Sequence, residues 1–328
     1  MIPDRWYIVL ESYEIKKGSL TGVTRLGEKM VFWRDAQGKL GCAVDLCPHR
    51  GVALSAGKVV GECVECPFHG FQFDSSGRCT LIPANGKNAE VPKVFHVKAF
   101  PVREQHGFVY LWWGEPREDY PPLPAFDFMA DPRFTHTVFR DLWKTHYSRA
   151  IENQLDVVHL PFVHYNTIGR GNKTVINGPR YQVDEMPGGH DMISFWVKNE
   201  VDAGQTPLKP NEMPISERHA QIQFRFPNLW HNWIGDDFHL FIAFVPIDDA
   251  NTLLYLGTYH TVKAPIVKQI FNFFGNLGNL FIERQDRRVV LTQRPLRTEL
   301  RMGEKLIPGD APIIEYRRRR QMWIQGKD

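Results

Sequence analysis

The sequence lacks any long apolar run. Nothing in it approaches the roughly 20 consecutive apolar residues of a membrane-crossing helix. It lacks a charge bias: a formal net charge of +3 over 328 residues argues against a nucleic-acid binder, which would carry a stronger or more clustered basic excess. There is no GxGxxG and no flavin signature, so any NAD(P)H must be oxidised on another protein. There is no internal repeat or low-complexity segment. The first residues, Met1 to Trp6, show no basic stretch followed by an apolar one. The chain has only five cysteines. Together these lead us to expect a cytoplasmic protein, in which cysteines serve as ligands or small buried residues rather than disulfides.

The remainder is ordinary globular material, 43% hydrophobic and 23% charged, enough for sizeable cores. The length suggests two domains. Residues 5–118 read as short β-branched and aromatic strands, such as Met30-Val31-Phe32-Trp33-Arg34, separated by the turns Gln37-Gly38, Ser76-Gly77 and Asn85-Gly86. The proline-rich, charged stretch 115–124 reads as a linker. We therefore expect an all-β domain over 1–118 and a second domain over 119–328. In the second, the spacing predicts a helix over 143–160, a loop over 165–179, and strands over 180–262, near 192–198, 219–226, 238–245 and 253–261. A long helix should follow over 264–295, interrupted near Gly275 and Gly278. The fold class is α+β: an all-β domain, then a curved antiparallel sheet with long helices against it.

Two stretches carry chemistry. The first is Cys47-Pro48-His49 … Cys66-Pro67-Phe68-His69, a C-x-H-x16-C-x2-H pattern. Two thiolates and two imidazoles on paired loops can hold a [2Fe–2S] cluster, sulfur on one iron and nitrogen on the other, the Rieske arrangement. Zinc also accepts two Cys and two His. Zinc fingers, however, pair Cys with Cys and His with His, whereas here each loop supplies one of each. Gly51 and Gly70 allow backbone amides to approach the sulfurs. Cys63 and Cys66 form a C-x-x-C decoy, because using Cys63 as a ligand would strand His69; Cys63 reads as strand or core.

The second stretch is Asn153-x2-Asp156-x2-His159-x4-His164. On one continuous helix, Asn153, Asp156 and His159 share a face, while His164 would lie about 140° round from His159. Pro161 should distort the turn and bring His164 back. With a carboxylate from elsewhere, the two imidazoles make a 2-His-1-carboxylate site for Fe(II), open to O2. The long helix offers Glu283 and Asp286, with Glu283 also able to pair with Arg287 at i+4.

The first stretch resembles the Rieske domain of the ring-hydroxylating oxygenases. It differs from the respiratory-complex type, which has cysteines where this chain has Val52 and Phe68, and a serine in place of Phe71. The second matches the mononuclear-iron motif of the same family, and the Gln285-Asp286 context is similar to its third ligand. The resemblance implies an alpha (terminal oxygenase) subunit of the vanillate, phthalate and ketosteroid branch. It further implies a helix-grip, START-like second domain; Cys47, His49, Cys66 and His69 on the cluster; and His159, His164 and Asp286 on iron, with Glu283 the alternative to Asp286. Asp156 would link His159 to His69, or His49, of a neighbouring copy in a head-to-tail homotrimer. A separate reductase, with or without a ferredoxin, would supply electrons, and O2 would be the co-substrate.

The implied reaction is insertion of one oxygen atom into a C–H bond of an organic substrate, by hydroxylation or O/N-demethylation. A Rieske electron carrier, or a START-like binding protein with an inactive second domain, is the alternative. Pocket candidates are Phe224, Phe226, Asn228, Trp230, Phe241 and Tyr255 from the sheet, with Ile168 and Asn172 from the loop after His164. His231 and His239 read as strand or surface histidines. The run Arg317-Arg318-Arg319-Arg320 reads as a solvated helix face or a dock for an acidic redox partner.

Overall fold

The computed structural model describes residues 1–215 and 220–326. The chain divides into two compact units, one of Trp6–Tyr120, the other of Met1–Arg5 together with the chain from Pro121 onward.

The first unit is built from ten short strands in three sheets. β1 (Arg5–Glu11), β9 (Val102–Gln105) and β10 (Phe108–Trp113) form one, in the order β1-β10-β9. β2 (Leu20–Arg25), β3 (Glu28–Arg34) and β4 (Leu40–Val44) form the second. β5 (Lys58–Val60), β6 (Cys63–Glu65), β7 (Gln72–Phe73) and β8 (Cys79–Leu81) form the third. The expected turns are there. Gly38, Gly77 and Gly86 each take a positive φ, the conformation glycine adopts without a Cβ penalty.

The second unit is a seven-stranded antiparallel sheet, β11 (Thr135–Trp143), β12 (Val175–Asp184), β13 (Met192–Glu200), β14 (Ile222–Arg225), β15 (Leu229–Gly235), β16 (Phe238–Asp248) and β17 (Asn251–His260). The order is β11-β17-β16-β15-β14-β13-β12. The even-numbered side chains of β15 to β17, including Trp230, Ile242 and Leu256, face one side. Among the described residues, four α-helices, α1 (Tyr147–Leu155), α2 (Leu160–Val163), α3 (Pro265–Val290) and α4 (Ala311–Ile324), complete the unit. Ile151, Leu155, Val290, Tyr316 and Trp323 join that face of the sheet in one buried core.

The structure revises several sequence expectations. The helix expected over 143–160 starts only at Tyr147 and stops at Leu155, because Trp143 closes β11, paired with Thr252. The loop expected over 165–179 gives way to β12 at Val175. β15 was not anticipated; it turns tightly out of β14 through Pro227-Asn228. The long helix runs unbroken through Gly275 and Gly278, which sit where a Cβ would meet no atom within 4 Å, so neither glycine answers a packing need. It ends at Val290, ahead of Pro295. The strand expected from His219 begins at Ile222, and His219 itself lies outside the described residues.

Candidate metal centres

The loops bearing the Cys/His pairs share one backbone design. Cys47 N–H donates to Val52 O at 2.8 Å and Gly51 N–H to Cys47 O at 2.9 Å. In the second loop, Cys66 N–H donates to Phe71 O at 2.8 Å and Gly70 N–H to Cys66 O at 3.0 Å. Gly51 and Gly70 hold φ of +72° and +71°. The histidines occupy different places in this common loop, second after Cys47 and third after Cys66. The His49 and His69 ring centroids end 4.8 Å apart.

Both cysteines are buried and both histidines exposed. No disulfide joins any cysteine. Burial pushes the Cys47 thiol up to about 11, and the neighbouring Cys66 thiol adds to this; the His49 and Arg50 amides, turned towards the sulfur, oppose it. Two adjacent inward sulfurs, with amides aimed at one of them, and two adjacent outward imidazoles fit a [2Fe–2S] donor set. Cys63 stands on β6, half-buried, its Sγ 3.5 Å from Thr80 Oγ1, as strand rather than ligand.

The second centre forms where α1 gives out. Asp156 leaves the helical region (φ −80°, ψ 127°), and its Oδ1 accepts from the Val158 and His159 amides at 2.7 and 3.3 Å. A short carboxylate that can bond the following amides competes with helix continuation. The β-branched Val157 and Val158 do not favour it either. His159 then caps a new helix, α2, with Pro161 in its first turn, where a missing N–H costs nothing. Pro161 therefore starts a helix rather than bending one, and Asn153, Asp156 and His159 do not share a continuous helical face.

The outcome brings together what a regular helix would have kept apart. The His159 and His164 ring centroids lie 5.3 Å apart. Asp286 Oδ1, from α3, sits 3.0 Å from His164 Nε2 and 3.4 Å from His159 Nε2. Ligand atoms of these three residues all lie within 4.8 Å of one another, the one such cluster of three found among the described residues. Asp286 Oδ1 is buried without a hydrogen bond of acceptable geometry. Such an atom, converging with two imidazole nitrogens, fits a mononuclear metal ion better than a closed hydrogen-bond network.

Charge follows the same geometry. Burial alone would raise the Asp286 carboxyl, but His159 and His164 outweigh it and hold it below its usual range. Burial alone would lower His159, but the Asp156 and Asp286 carboxylates outweigh it and lift the imidazole to about 9. The Asp156 contact, 3.6 Å from His159 Nδ1, is electrostatic rather than a hydrogen bond. Glu283 lies one turn before Asp286 and lines the same cavity, yet stands outside the cluster of three. Burial, then Asp286 and Asp141, push its carboxyl well above the usual range. The expected Glu283–Arg287 pair does not form; Arg287 reaches Asp141 at 2.5 Å.

One neighbour was missed. Gln285 Oε1 is 2.8 Å from His164 Nδ1, and its Nε2 donates to Asn166 Oδ1 at 2.8 Å. Its only sequence signal was a neutral amide beside Asp286 in an otherwise charged stretch.

A cavity of about 280 Å3 opens onto the three residues, lined by Asn153, Asp156, Ile168, Trp230, Asn232, Leu240, Ile242, Leu256, Asn279 and Ile282 among others. Of the expected pocket residues, Trp230 and Ile168 are in the wall. Trp230 Nε1 donates to Gln154 O at 2.9 Å, which pins it against the end of α1. Phe241 borders the cavity, but its ring meets Phe126 and Tyr259 across the sheet.

Phe224, Phe226, Asn228, Tyr255 and Asn172 do not line this cavity. Phe224 and Phe226 pack under α4 against Tyr316. Asn228 donates to Phe244 O. Tyr255 falls between the inward Leu254 and Leu256 and so points away. Asn172 sits in a turn at φ +49°.

His231 and His239 are strand residues but not surface ones: both are buried on the outer face, 2.9 Å apart (Nε2 to Nδ1). They border a wider hollow of about 560 Å3, away from the cluster of three. The arginine run is not a solvated face. Arg317, Arg319 and Arg320 are buried. Arg317 pairs with Glu152 at 2.6 Å and Glu304 at 2.7 Å, Arg319 with Glu315 at 2.8 Å and with Asp191, and Arg320 donates to Thr298 O at 2.6 Å. Only Arg318 is substantially exposed, and it pairs with Glu315.

Both parts of the chain match known families. Residues 5–101 match the Rieske [2Fe-2S] domain, and residues 143–326 the vanillate O-demethylase oxygenase C-terminal domain. The chloroplastic protein TIC 55 of Arabidopsis thaliana is 32% identical over 96% of this chain and 58% of its own length. The toluene-4-sulfonate monooxygenase system iron-sulfur subunit of Comamonas testosteroni is 29% identical over 60% of this chain and 55% of its own. The chain thus spans just over half the length of these two relatives. Among solved structures, Pseudomonas putida CBB5 NdmA with caffeine superposes with a TM-score of 0.76 at 22% identity, covering 98% of this chain and 91% of that one. Apo dicamba monooxygenase gives 0.69 at 18%, covering 99% and 98%. At these identities the superpositions establish the fold.

Proposed function

The chain belongs to the Rieske non-heme iron oxygenases with a vanillate O-demethylase-type C-terminal domain, and from that premise we propose that it is the terminal oxygenase of a monooxygenase system. It inserts one atom of O2 into a C–H bond of a small organic substrate. On an O- or N-methyl group the product collapses, and the net reaction is demethylation. The carrying observation is the convergence of His159, His164 and Asp286 on one point at the wall of an apolar cavity. Electrons come from a separate reductase, directly or through a ferredoxin.

Cys47, His49, Cys66 and His69 would hold the cluster, and His159, His164 and Asp286 the iron, with Glu283 left outside. When bound, these groups supply one-electron delivery and O2 activation. The protein's own residues set the stage. Gln285 fixes the His164 ring so that Nε2 faces the metal position. Asp156 does the same by charge for His159, and its carboxylate is about a third exposed (30%). That exposure suits the further role of linking His159 to His69 of a neighbouring copy in a ring of three. Asn153 borders the same cavity beside Asp156.

The substrate class follows from the wall. Ile222, Leu240, Ile242, Leu256 and Ile282 supply apolar surface, Asn153, Gln154, Asn232 and Asn279 the neutral polar groups, and no Lys or Arg lines the cavity among the described residues. A neutral, compact, mostly apolar molecule fits; a carboxylate or sulfonate would meet no Lys or Arg side chain in the wall. His159→Ala tests the reading. The variant should keep the visible absorption of the cluster and lose substrate-dependent O2 uptake with a chemical reductant. Undiminished uptake would overturn it.

A further inference from the structure

Helix α3 is amphipathic in the inverted sense over its first two-thirds. Its sheet-facing side is polar: Asn276 donates to Thr137 Oγ1 at 3.1 Å, Asn279 to Thr258 Oγ1 at 2.9 Å, and Asn272 Oδ1 lies 2.6 Å from His260 Nε2. The same side continues into Glu283 and Asp286. The apolar residues are consequently turned outward. Ile266, Ile270, Phe273, Phe274, Leu277 and Phe281 are each more than half exposed. At helical spacing these six fall within an arc of about 100° and extend about 23 Å along the axis. A contiguous exposed apolar stripe of this size marks an interaction surface.

Charge selects the occupant. No Asp or Glu occurs between residues 250 and 282. Exposed cations bracket the stripe, Lys263 at one end, and Arg284 and Arg288, on the continuation of the same arc, at the other. A second copy of the helix laid antiparallel would set Lys263 against Arg284 and Arg288; laid parallel, it would set each cation against itself. Both arrangements oppose like charges at both ends. A bilayer with anionic headgroups instead offers apolar depth along the stripe and negative charge at its ends. The apolar surface also continues towards the cavity. Phe162, Tyr165 and Ile168 are exposed, on a segment held to α3 through Asn166, Thr167 and Gln285, and Ile168 lines the cavity itself.

We propose that α3 lies in the plane of an anionic lipid surface, its Ile266–Phe281 stripe sunk into the headgroup boundary, so that the cavity takes apolar substrate from the lipid phase. None of the helices among the described residues is long and apolar enough to cross a membrane; α3 would lie on one. The docking rests on exposure and charge and is independent of the reaction performed at the iron site.

The test is co-sedimentation of the purified full chain with extruded vesicles of phosphatidylcholine alone and of equal parts phosphatidylglycerol and phosphatidylcholine. Wild type should bind the anionic vesicles and be released by high salt. The variant Phe273→Ser/Phe274→Ser should bind them at least about tenfold more weakly, with the mass in light scattering and the cluster absorption unchanged. Lys263→Glu, which leaves the apolar stripe intact, should also weaken binding. Failure of wild type to bind anionic vesicles, or equal binding by the double variant, would overturn the proposal. A fall in the double variant's mass would overturn it in favour of a second copy as the occupant.

Discussion

Gln285 Oε1 lies 2.8 Å from Nδ1 of His164, so the residue just before one expected metal ligand orients another. The amide oxygen can only accept, which makes Nδ1 the protonated nitrogen and leaves the Nε2 lone pair facing Asp286. Gln285→Ala should lower iron affinity about 10- to 100-fold without altering the visible spectrum of the cluster. Iron per chain after equilibration with a chelator measures it; full retention of the mononuclear iron would sink the orienting role.

Asp156→Asn separates the local role of this residue from its electronic one. The side-chain oxygen can still accept from Val158 and His159, so the break between α1 and α2 should survive. The charge beside His159 is lost. Both iron sites should load normally, while reoxidation of the reduced cluster in a single turnover slows about 10- to 100-fold. Stopped-flow absorbance reads this directly.

Acid should destabilise the second unit well above the carboxylate range. Burial, with Arg320 and Arg297, lowers His146 to about 3. Burial, with Arg5 and Arg225 and against the Pro187 carbonyl, lowers His190 to about 3. Both imidazoles are therefore neutral when folded, and His146 Nδ1 accepts from Ser148 N–H to cap α1. Between about pH 6.5 and pH 3 the unfolded chain binds protons that the folded one refuses. The contribution of these two groups is thus complete above that window and falls as pH drops through it, by about 1.4 kcal/mol per pH unit for each. His146→Asn keeps a capping side chain without the titration and should reduce the slope. Urea midpoints from pH 7 to pH 4 provide the measurement; an unchanged slope would count against His146.

Arg317→Ala should cost about 3–5 kcal/mol, because it leaves Glu152 buried without its bidentate partner. Arg318→Ala, one residue on and half exposed, should change stability by less than about 0.5 kcal/mol. Denaturant midpoints of the two variants, side by side, test whether the run serves the interior. Comparable effects would mean that burial is not what distinguishes them.

The sequence by itself determined which donors are available. The Cys/His spacing around residues 47–69 reads as a cluster site, and His159, His164 and an acid near 286 as an iron triad, because donor type and count follow directly from residue identity. It also determined the strand-rich N-terminal unit, whose turns need glycine at fixed places. Only the tertiary structure decided that Asp286, rather than Glu283, meets the two imidazoles, since one turn of helix separates them and only packing against the sheet sets the rotation. Only it showed that the helix breaks at Asp156, where a side chain outcompetes the backbone ladder. Pocket membership was equally illegible: alternate residues of a strand face opposite ways, and a one-residue change of register exchanges Tyr255 for Leu256. Burial of the arginine run and exposure of the aromatics on α3 reverse what residue type alone suggests. Each follows from what lies opposite in space, Glu152 and Asp191 in one case and a polar sheet face in the other.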